Sequence, residues 1–179
     1  PHIQHLYSYK NEKQFKIDLD TLLKYNKPIS AGDLSKCINE NKPCPKQSFL
    51  LTFDDGFREV YDVIAPLLES KGVPAVFFIV PSFIDNKELF FRCKTSLLIH
   101  ELVNNKKDNL VNLYREHFKM PHAAKEEMIH TLKNIKSADR DSLDKLAHKT
   151  GYSFSAFLTV QQPFLTTGQL TSLHNRGFT

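Results

Sequence analysis

Ser48-Phe49-Leu50-Leu51-Thr52-Phe53-Asp54-Asp55-Gly56-Phe57 decides how this chain is read. The run from Ser48 to Phe53 is short, aromatic and unbroken, the pattern of a strand buried on both faces, and it stops at two adjacent carboxylates and a glycine. After Gly56 the period changes. Val60, Ile64, Leu67 and Leu68 repeat at helical spacing, and Gly72 closes the segment. A second apolar run, Pro74 to Val80, follows. Strand, turn, helix and strand in that order predict a parallel pair joined by a right-handed crossover. Folds of this kind place their ligand sites at the carboxyl ends of the strands, where Asp54 and Asp55 stand.

Successive side chains leaving a strand point to opposite sides, so Asp54 and Asp55 can do different work. One can bind a cation while the other faces water or substrate. Gly56 permits a sharp exit and a close approach of backbone to the site. A plainer alternative stands beside this: Asp-Gly is a common turn, and an Asp ahead of a helix is often only its N-cap. The strand before and the crossover after favour a site.

The chain in order fits around this centre. Asn11 to Tyr25 predicts a helix, with Asn11 and Gln14 as a capping box and Phe15, Leu19, Leu22 and Leu23 as its apolar stripe. Lys27 to Ser30 is a short extended piece, and Ser30 with Asp33 caps a second helix to about Glu40. The loop Asn41–Lys46 carries two prolines. Past Val80, the segment Pro81–Asn86 is a loop on the side of Asp54; Ser82, Asp85 and Asn86 are either substrate contacts or, as is commoner, turn formers. From about Glu88 to Phe157 the pattern is helical: Leu97, Leu98, Leu102 and Val103 form one stripe, Leu110, Leu113 and Tyr114 begin another, Pro121 breaks it, and Met128, Leu132 and Ile135 make a third. Ser137-Ala138-Asp139 caps a helix bearing Leu143, Leu146 and Ala147 that ends near Gly151. Thr166 with Gln169 caps a last helix ending at Arg176-Gly177, and Phe178-Thr179 begins a further strand.

Composition narrows the class. A chain of 179 residues with 41% apolar and 25% charged residues describes one soluble domain with a real core. No apolar stretch is long enough to span a bilayer, and Pro1 to Lys10 do not form a secretory leader. Prior removal of a leader stays open, as does a start within a gene, so cytoplasm and cell envelope both remain. The net charge of +4 is spread among acidic residues, which argues against a nucleic-acid surface. Cys37, Cys44 and Cys93 are too few and irregular for a disulfide framework; free thiols are expected, with a Cys37–Cys44 bridge as the alternative.

Thr52-Phe53-Asp54-Asp55-Gly56, the helix after it, and Val73-Pro74-Ala75-Val76-Phe77-Phe78-Ile79 together resemble the first motif of the polysaccharide deacetylases, the NodB-like carbohydrate esterases that remove acetyl groups from N-acetylated sugars in bacteria. The similarity covers about Pro28 to Asn86, with a weaker echo at the C-terminus. It implies an α/β fold, a distorted (β/α) barrel incomplete in this chain, formed by residues 1–87 and 158–179 and interrupted by a helical insertion over 88–157. It implies Asp54 as general base, Asp55 as ligand of a divalent metal, usually zinc, and an N-acetylated glycan as substrate. The insertion would cover the site, bind a partner, hold a homo-oligomer together, or simply pack on the barrel flank.

The same resemblance implies a His-x-x-x-His pair that completes the metal site and lies on the strand after a helix like Thr166–Gly177. That pair is not in the sequence, nor are the family's arginine-proline, aspartate-tryptophan and leucine-histidine motifs. His2, His5, His100, His117, His122, His130, His148 and His174 read as surface or helix-packing residues, and none is assigned to a metal; His2 and His5 have ligand-like spacing but fall in a stretch expected to be extended. The chain is therefore expected to be part of a longer enzyme, inactive alone, or else a metal-poor relative. Two other functions compete: a non-catalytic sugar-binding or scaffold module, and phosphoryl transfer through an aspartyl nucleophile. The second fits less well, because Asp54 and Asp55 are adjacent rather than on alternate residues.

Overall fold

The computed structural model describes residues 2–105 and 109–179. It divides into two compact units: Pro1–Tyr9 with Leu89–Val160, and Lys10–Glu88 with Gln161–Thr179. Four short strands and many helices make the described chain α/β and mostly helical.

The second unit carries all the strands. Helix α1 (Glu12–Tyr25) begins at the Asn11 capping box, in which Gln14 N–H donates to Asn11 Oδ1 and Asn11 N–H to Gln14 Oε1. Leu19 is its buried residue, while Leu22 is exposed, so the stripe is narrower than its period predicts. Strand β1 (Lys27–Pro28) leads to α2 (Ala31–Asn39), capped by Ser30 and Asp33 as read from the sequence. The single strand expected over Ser48–Phe53 is divided at Leu50 into β2 (Ser48–Phe49) and β3 (Leu51–Phe53). β2 pairs in parallel with β1, with Lys27 N–H donating to Gln47 C=O and Ile29 N–H to Phe49 C=O before Ser30 turns into its cap. β3 pairs in parallel with β4 (Ala75–Phe77) in the register Leu51 to Ala75, Thr52 to Val76 and Phe53 to Phe77. Nor is the run buried on both faces: Leu51 and Phe53 are partly covered, whereas Thr52 is exposed.

The crossover between β3 and β4 starts with a π-helical turn, Val60–Ile64, and continues as α3 (Ala65–Ser70). Pro66 explains the change of period, because it brings no N–H to the carbonyl one turn back, and Ala65 N–H bonds to Val60 C=O instead. Gly72, with φ of 63°, ends the helix; Gly72 N–H bonds to Glu69 C=O and Val73 N–H to Leu68 C=O. Beyond Gln161, helix α9 (Thr167–Asn175) starts at the expected Thr166–Gln169 box. Its C-terminal turn brings Thr179 to the other edge of β4, where Thr179 N–H donates to Ala75 C=O (3.3 Å) and Phe77 N–H donates to Thr179 C=O (2.8 Å). That pattern is one step of a parallel ladder, in the strand position the sequence places at Phe178-Thr179. The core of this unit joins Leu19, Ala65, Leu68, Ala75, Leu173 and Phe178, with Leu51, Phe53 and Phe77 against it. The helices therefore cover one face of β3 and β4, and Thr52 and Asp54 lie on the other.

The first unit is helical. Helices α4 (Phe91–Asn104), α5 (Leu110–Phe118), α6 (Lys125–Asn134) and α7 (Asp141–Thr150) enclose a cluster built on Leu98, Leu102, Tyr114, Met128, Leu132 and Leu143, all buried. Each such side chain contributes roughly 2 kcal/mol on burial. Tyr114 donates its hydroxyl to Leu98 C=O at 2.9 Å, which satisfies the one polar atom this ring takes into the core. Val103, counted in the apolar stripe, is exposed. Lys119 in the left-handed conformation ends α5 ahead of Pro121, and Gly151 ends α7. Helix α8 (Phe154–Gln161) runs unbroken across positions 157 and 158, where the sequence reading set its domain boundary; the change of unit falls at the end of that helix. Residues 2–9 group with these helices, and residues 2–6 are turned rather than extended, with Leu6 and Tyr7 N–H both bonded to Ile3 C=O. Among the described residues no helix is long and apolar enough to cross a membrane.

Candidate functional site

β3 ends at Phe53, whose carbonyl accepts from Phe78 N–H at 2.8 Å, one step past β4. Asp54 follows and is exposed on the face bearing Thr52. Asp55 comes next with φ of 69°, in the left-handed region that an L residue enters only where its surroundings hold it there. Gly56 repeats that conformation with φ of 69°; a Cβ on it would stand 3.3 Å from Ile79 Cγ2 and 3.6 Å from Ile84 Cδ1. The turn therefore needs glycine at this position for two reasons, backbone angle and space.

Asp54 and Asp55 thus stand side by side at the carboxyl end of β3, the second of them in the left-handed turn. Burial raises the pKa of Asp55 above the ordinary carboxylate range, and the charge of Asp54 raises it further. A pair of this kind has a place for a proton or a cation, either of which relieves the repulsion. The arrangement can do acid–base work or donate oxygen ligands to a hard or borderline cation. Asp55 is suited to be one such ligand. Among the described residues, however, no group of three His, Cys, Asp or Glu side chains could hold a metal ion, so the residues here do not amount to a complete metal centre.

Of the histidines, His174 is on α9 in the strand-bearing unit, and His5, His100 and His117 belong to the helical unit. His5 Nε2 and His100 Nδ1 are 3.2 Å apart in the helical unit, and His117 Nε2 lies 2.8 Å from Ser142 Oγ between α5 and α7. All three cysteines are free. An apolar groove of about 180 Å³ beside Phe77, Ile79, Leu173 and Phe178 contains neither aspartate.

Asp85 and Asn86 resolve to turn formers. Both have positive φ, 60° and 57°. The Asp85 carboxylate accepts from Thr167 N–H and Thr167 Oγ1, each at 2.7 Å, at the start of α9. The sequence reading missed Pro163-Phe164-Leu165, which runs beside the Asp-Gly turn: Phe57 and Phe164 form an antiparallel bridge, and their rings stack at 5.3 Å. An apolar run ahead of the Thr166 cap was the available signal, but nothing in it names the partner.

The polysaccharide deacetylase family model matches residues 41–138, more than half of the chain. The chain belongs to the polysaccharide deacetylase family. The match takes in the Asp54-Asp55 turn and continues into the helices as far as the short helical turn at Ser137–Asp139. The poly-beta-1,6-N-acetyl-D-glucosamine N-deacetylases of Escherichia coli strain K12 and of Escherichia coli O157:H7 are each 34% identical to this deacetylase-family chain over 58 residues. That stretch is 32% of this chain and only 9% of either enzyme. No solved structure matches.

Proposed function

We propose that this chain supplies the first catalytic turn of a deacetylase that hydrolyses N-acetyl groups on a glycan, with Asp54 as general base and Asp55 as a carboxylate ligand of a divalent cation, zinc being the foremost candidate. The observation that carries the reading is the adjacent pair itself, held at a strand end by two left-handed residues with one carboxylate exposed and the other partly buried. Family membership and the partial likeness to enzymes acting on poly-beta-1,6-N-acetyl-D-glucosamine support that polymer class as substrate. The two parallel pairs and the pairing of Thr179 on β4 support a strand-bearing unit built as the beginning of a distorted (β/α) barrel, with the helical unit as an insertion in it.

A divalent cation with Asp55 among its ligands would supply polarisation of the acetamido carbonyl. Asp54 takes a proton from the attacking water as its oxygen forms a bond to the carbonyl carbon. The C–N bond then breaks, the proton ends on the sugar amine, and acetate leaves. Asp54 is suited to this because it is exposed at the strand end, and general-base catalysis of this sort is worth about 10²–10⁴-fold. Asp55, with its raised pKa, gains most from a neighbouring cation.

The test is acetate release from a β-1,6-linked N-acetylglucosamine oligomer by the full-length protein with zinc or cobalt added. The parent is expected to release acetate and Asp54→Asn to lose about 10²–10⁴-fold in kcat. Parent-like activity in Asp54→Asn, or no release by the parent on any N-acetylated glycan, overturns the proposal. The incomplete ligand group among the described residues favours a second reading, a sugar-binding module. It predicts glycan binding that survives replacement of both Asp54 and Asp55 by Asn, with no release of acetate.

A further inference from the structure

We infer that Asn86 is a positioning residue for the Asp54-Asp55 turn, acting through the three-residue strap Pro163-Phe164-Leu165. The inference rests on the reading of that turn as the reactive pair.

The strap runs between two loops. On one side Arg58 N–H donates to Pro163 C=O at 2.8 Å and Leu165 N–H donates to Gly56 C=O at 2.9 Å, bracketing Phe57. On the other side Asp85 N–H donates to Leu165 C=O at 3.0 Å. Asn86 does the rest with its side chain: Nδ2 donates to Phe164 C=O at 3.2 Å, and Oδ1 accepts from Phe164 N–H at 2.9 Å. Every backbone donor and acceptor from the Pro163 carbonyl to the Leu165 carbonyl is thereby used, and Pro163 has no N–H to satisfy. The Phe164 ring is fully buried and stacked between Phe57 at 5.3 Å and Phe83 at 4.9 Å.

The amide of Asn86 takes the place of a neighbouring strand. It needs a donor and an acceptor side by side on one short planar group, which the primary amides of Asn and Gln offer at neutral pH. It also needs a backbone at φ of 57°, where Asn is tolerated far better than most L residues. The strap in turn holds Gly56, the residue directly after Asp55, and Arg58, three positions after it. The chain leaves this unit after Glu88 and returns at Gln161, so the strap reaches the turn from a distant part of the sequence. Its place is set by these bonds and the ring stack. Slack in the strap moves Gly56, and with it both carboxylates. Misplacing a reactive group by about 1 Å costs on the order of 100-fold in rate.

The test compares the full-length parent, Asn86→Gly and Asn86→Asp. Glycine keeps the left-handed backbone and removes both side-chain bonds; aspartate keeps the acceptor for Phe164 N–H and loses the donor. Three readouts are taken together: kcat and KM for acetate release from a β-1,6-linked N-acetylglucosamine oligomer with cobalt, amide hydrogen exchange at Arg58 and Leu165, and the melting temperature. In Asn86→Gly, kcat is expected to fall about 10- to 100-fold with KM within about twofold. Exchange at Arg58 and Leu165 is expected to rise about tenfold while the rest of the unit keeps its protection. Asn86→Asp should fall between the two. Parent-like kcat and exchange in Asn86→Gly overturn the inference. So does exchange that rises throughout the unit with a collapsed melt, because that marks a general role in stability. If the parent itself releases no acetate, the deacetylase reading fails, and exchange at Arg58 and Leu165 alone decides whether Asn86 holds the strap.

Discussion

The two units of this chain differ in how much of their structure is set locally. In the helical unit each helix face is set by near neighbours in sequence, Leu98 with Leu102, Met128 with Leu132, and Leu143 with Leu146 and Ala147, and these faces then pack into one cluster. The strand-bearing unit draws its structure from residues far apart. Thr179 pairs with β4, Phe164 with Phe57, Asp85 with Thr167, and Arg176 forms a two-point ion pair with Glu69 at 2.6 Å for each contact. The unit with the longer-range connections is the one that holds two carboxylates in an unfavourable backbone turn. A strained turn persists only where its surroundings over-determine it, and connections from three separate segments do that here.

Substitutions should separate the two units. Leu98→Ala, in the centre of the helical cluster, should cost about 2–5 kcal/mol of stability. Chemical denaturation followed by residue-resolved exchange should show that loss in residues 89–160, and a uniform loss over both units would mean that they unfold as one. Gly56→Ala strikes the other unit. A left-handed alanine and a Cβ at 3.3 Å from Ile79 Cγ2 should together cost about 1–3 kcal/mol, read from the same denaturation curves, with exchange rising first around residues 54–58. A variant as stable as the parent would show that the turn is free to relax.

The smallest expected effect is in pH. Burial between α5 and α7, with Lys149 and Lys145 nearby, lowers the pKa of His117, so the native state binds fewer protons there than the unfolded chain. Its contribution is present above the ordinary histidine range near about 6.5 and is lost as pH falls below it. In the other unit, hydrogen bonds from Thr167 lower the pKa of Asp85, and the Arg176 contact lowers that of Glu69. Stability from these two is present above the ordinary carboxylate range near about 4 and is lost only below it. On acidification the helical unit should therefore loosen first, seen as exchange rising in α5 and α7 near pH 6 while α9 stays protected. At high pH the sign reverses. Burial, with Glu101 nearby, pushes Tyr114 far above the ordinary phenol range, so the helical unit should also lose stability once tyrosine in the unfolded chain begins to ionise near about pH 10.

Much of this molecule was legible in the sequence. The Asn11–Gln14, Ser30–Asp33 and Thr166–Gln169 boxes each start a helix where their residues say, because a cap is a contact across three positions and needs no tertiary partner. The Asp54-Asp55-Gly56 turn was legible as a strand end for the same reason: an apolar run stops, and glycine follows. The helical stripes were legible in period but not in width, since Leu22 of α1 in the strand-bearing unit and Val103 of α4 in the helical unit obey the spacing and remain exposed.

Only the tertiary structure decided the rest. It divided one apolar run into two strands, because β1 reaches only Ser48 and Phe49 while β4 takes Leu51 to Phe53. It put residues 2–9 with the helices and carried α8 past the expected boundary. It turned Asp85 and Asn86 into the partners of Thr167 and Phe164. Each of these depends on which distant segment arrives to satisfy a backbone donor or acceptor, and hydrophobic period and local propensity carry no record of that choice.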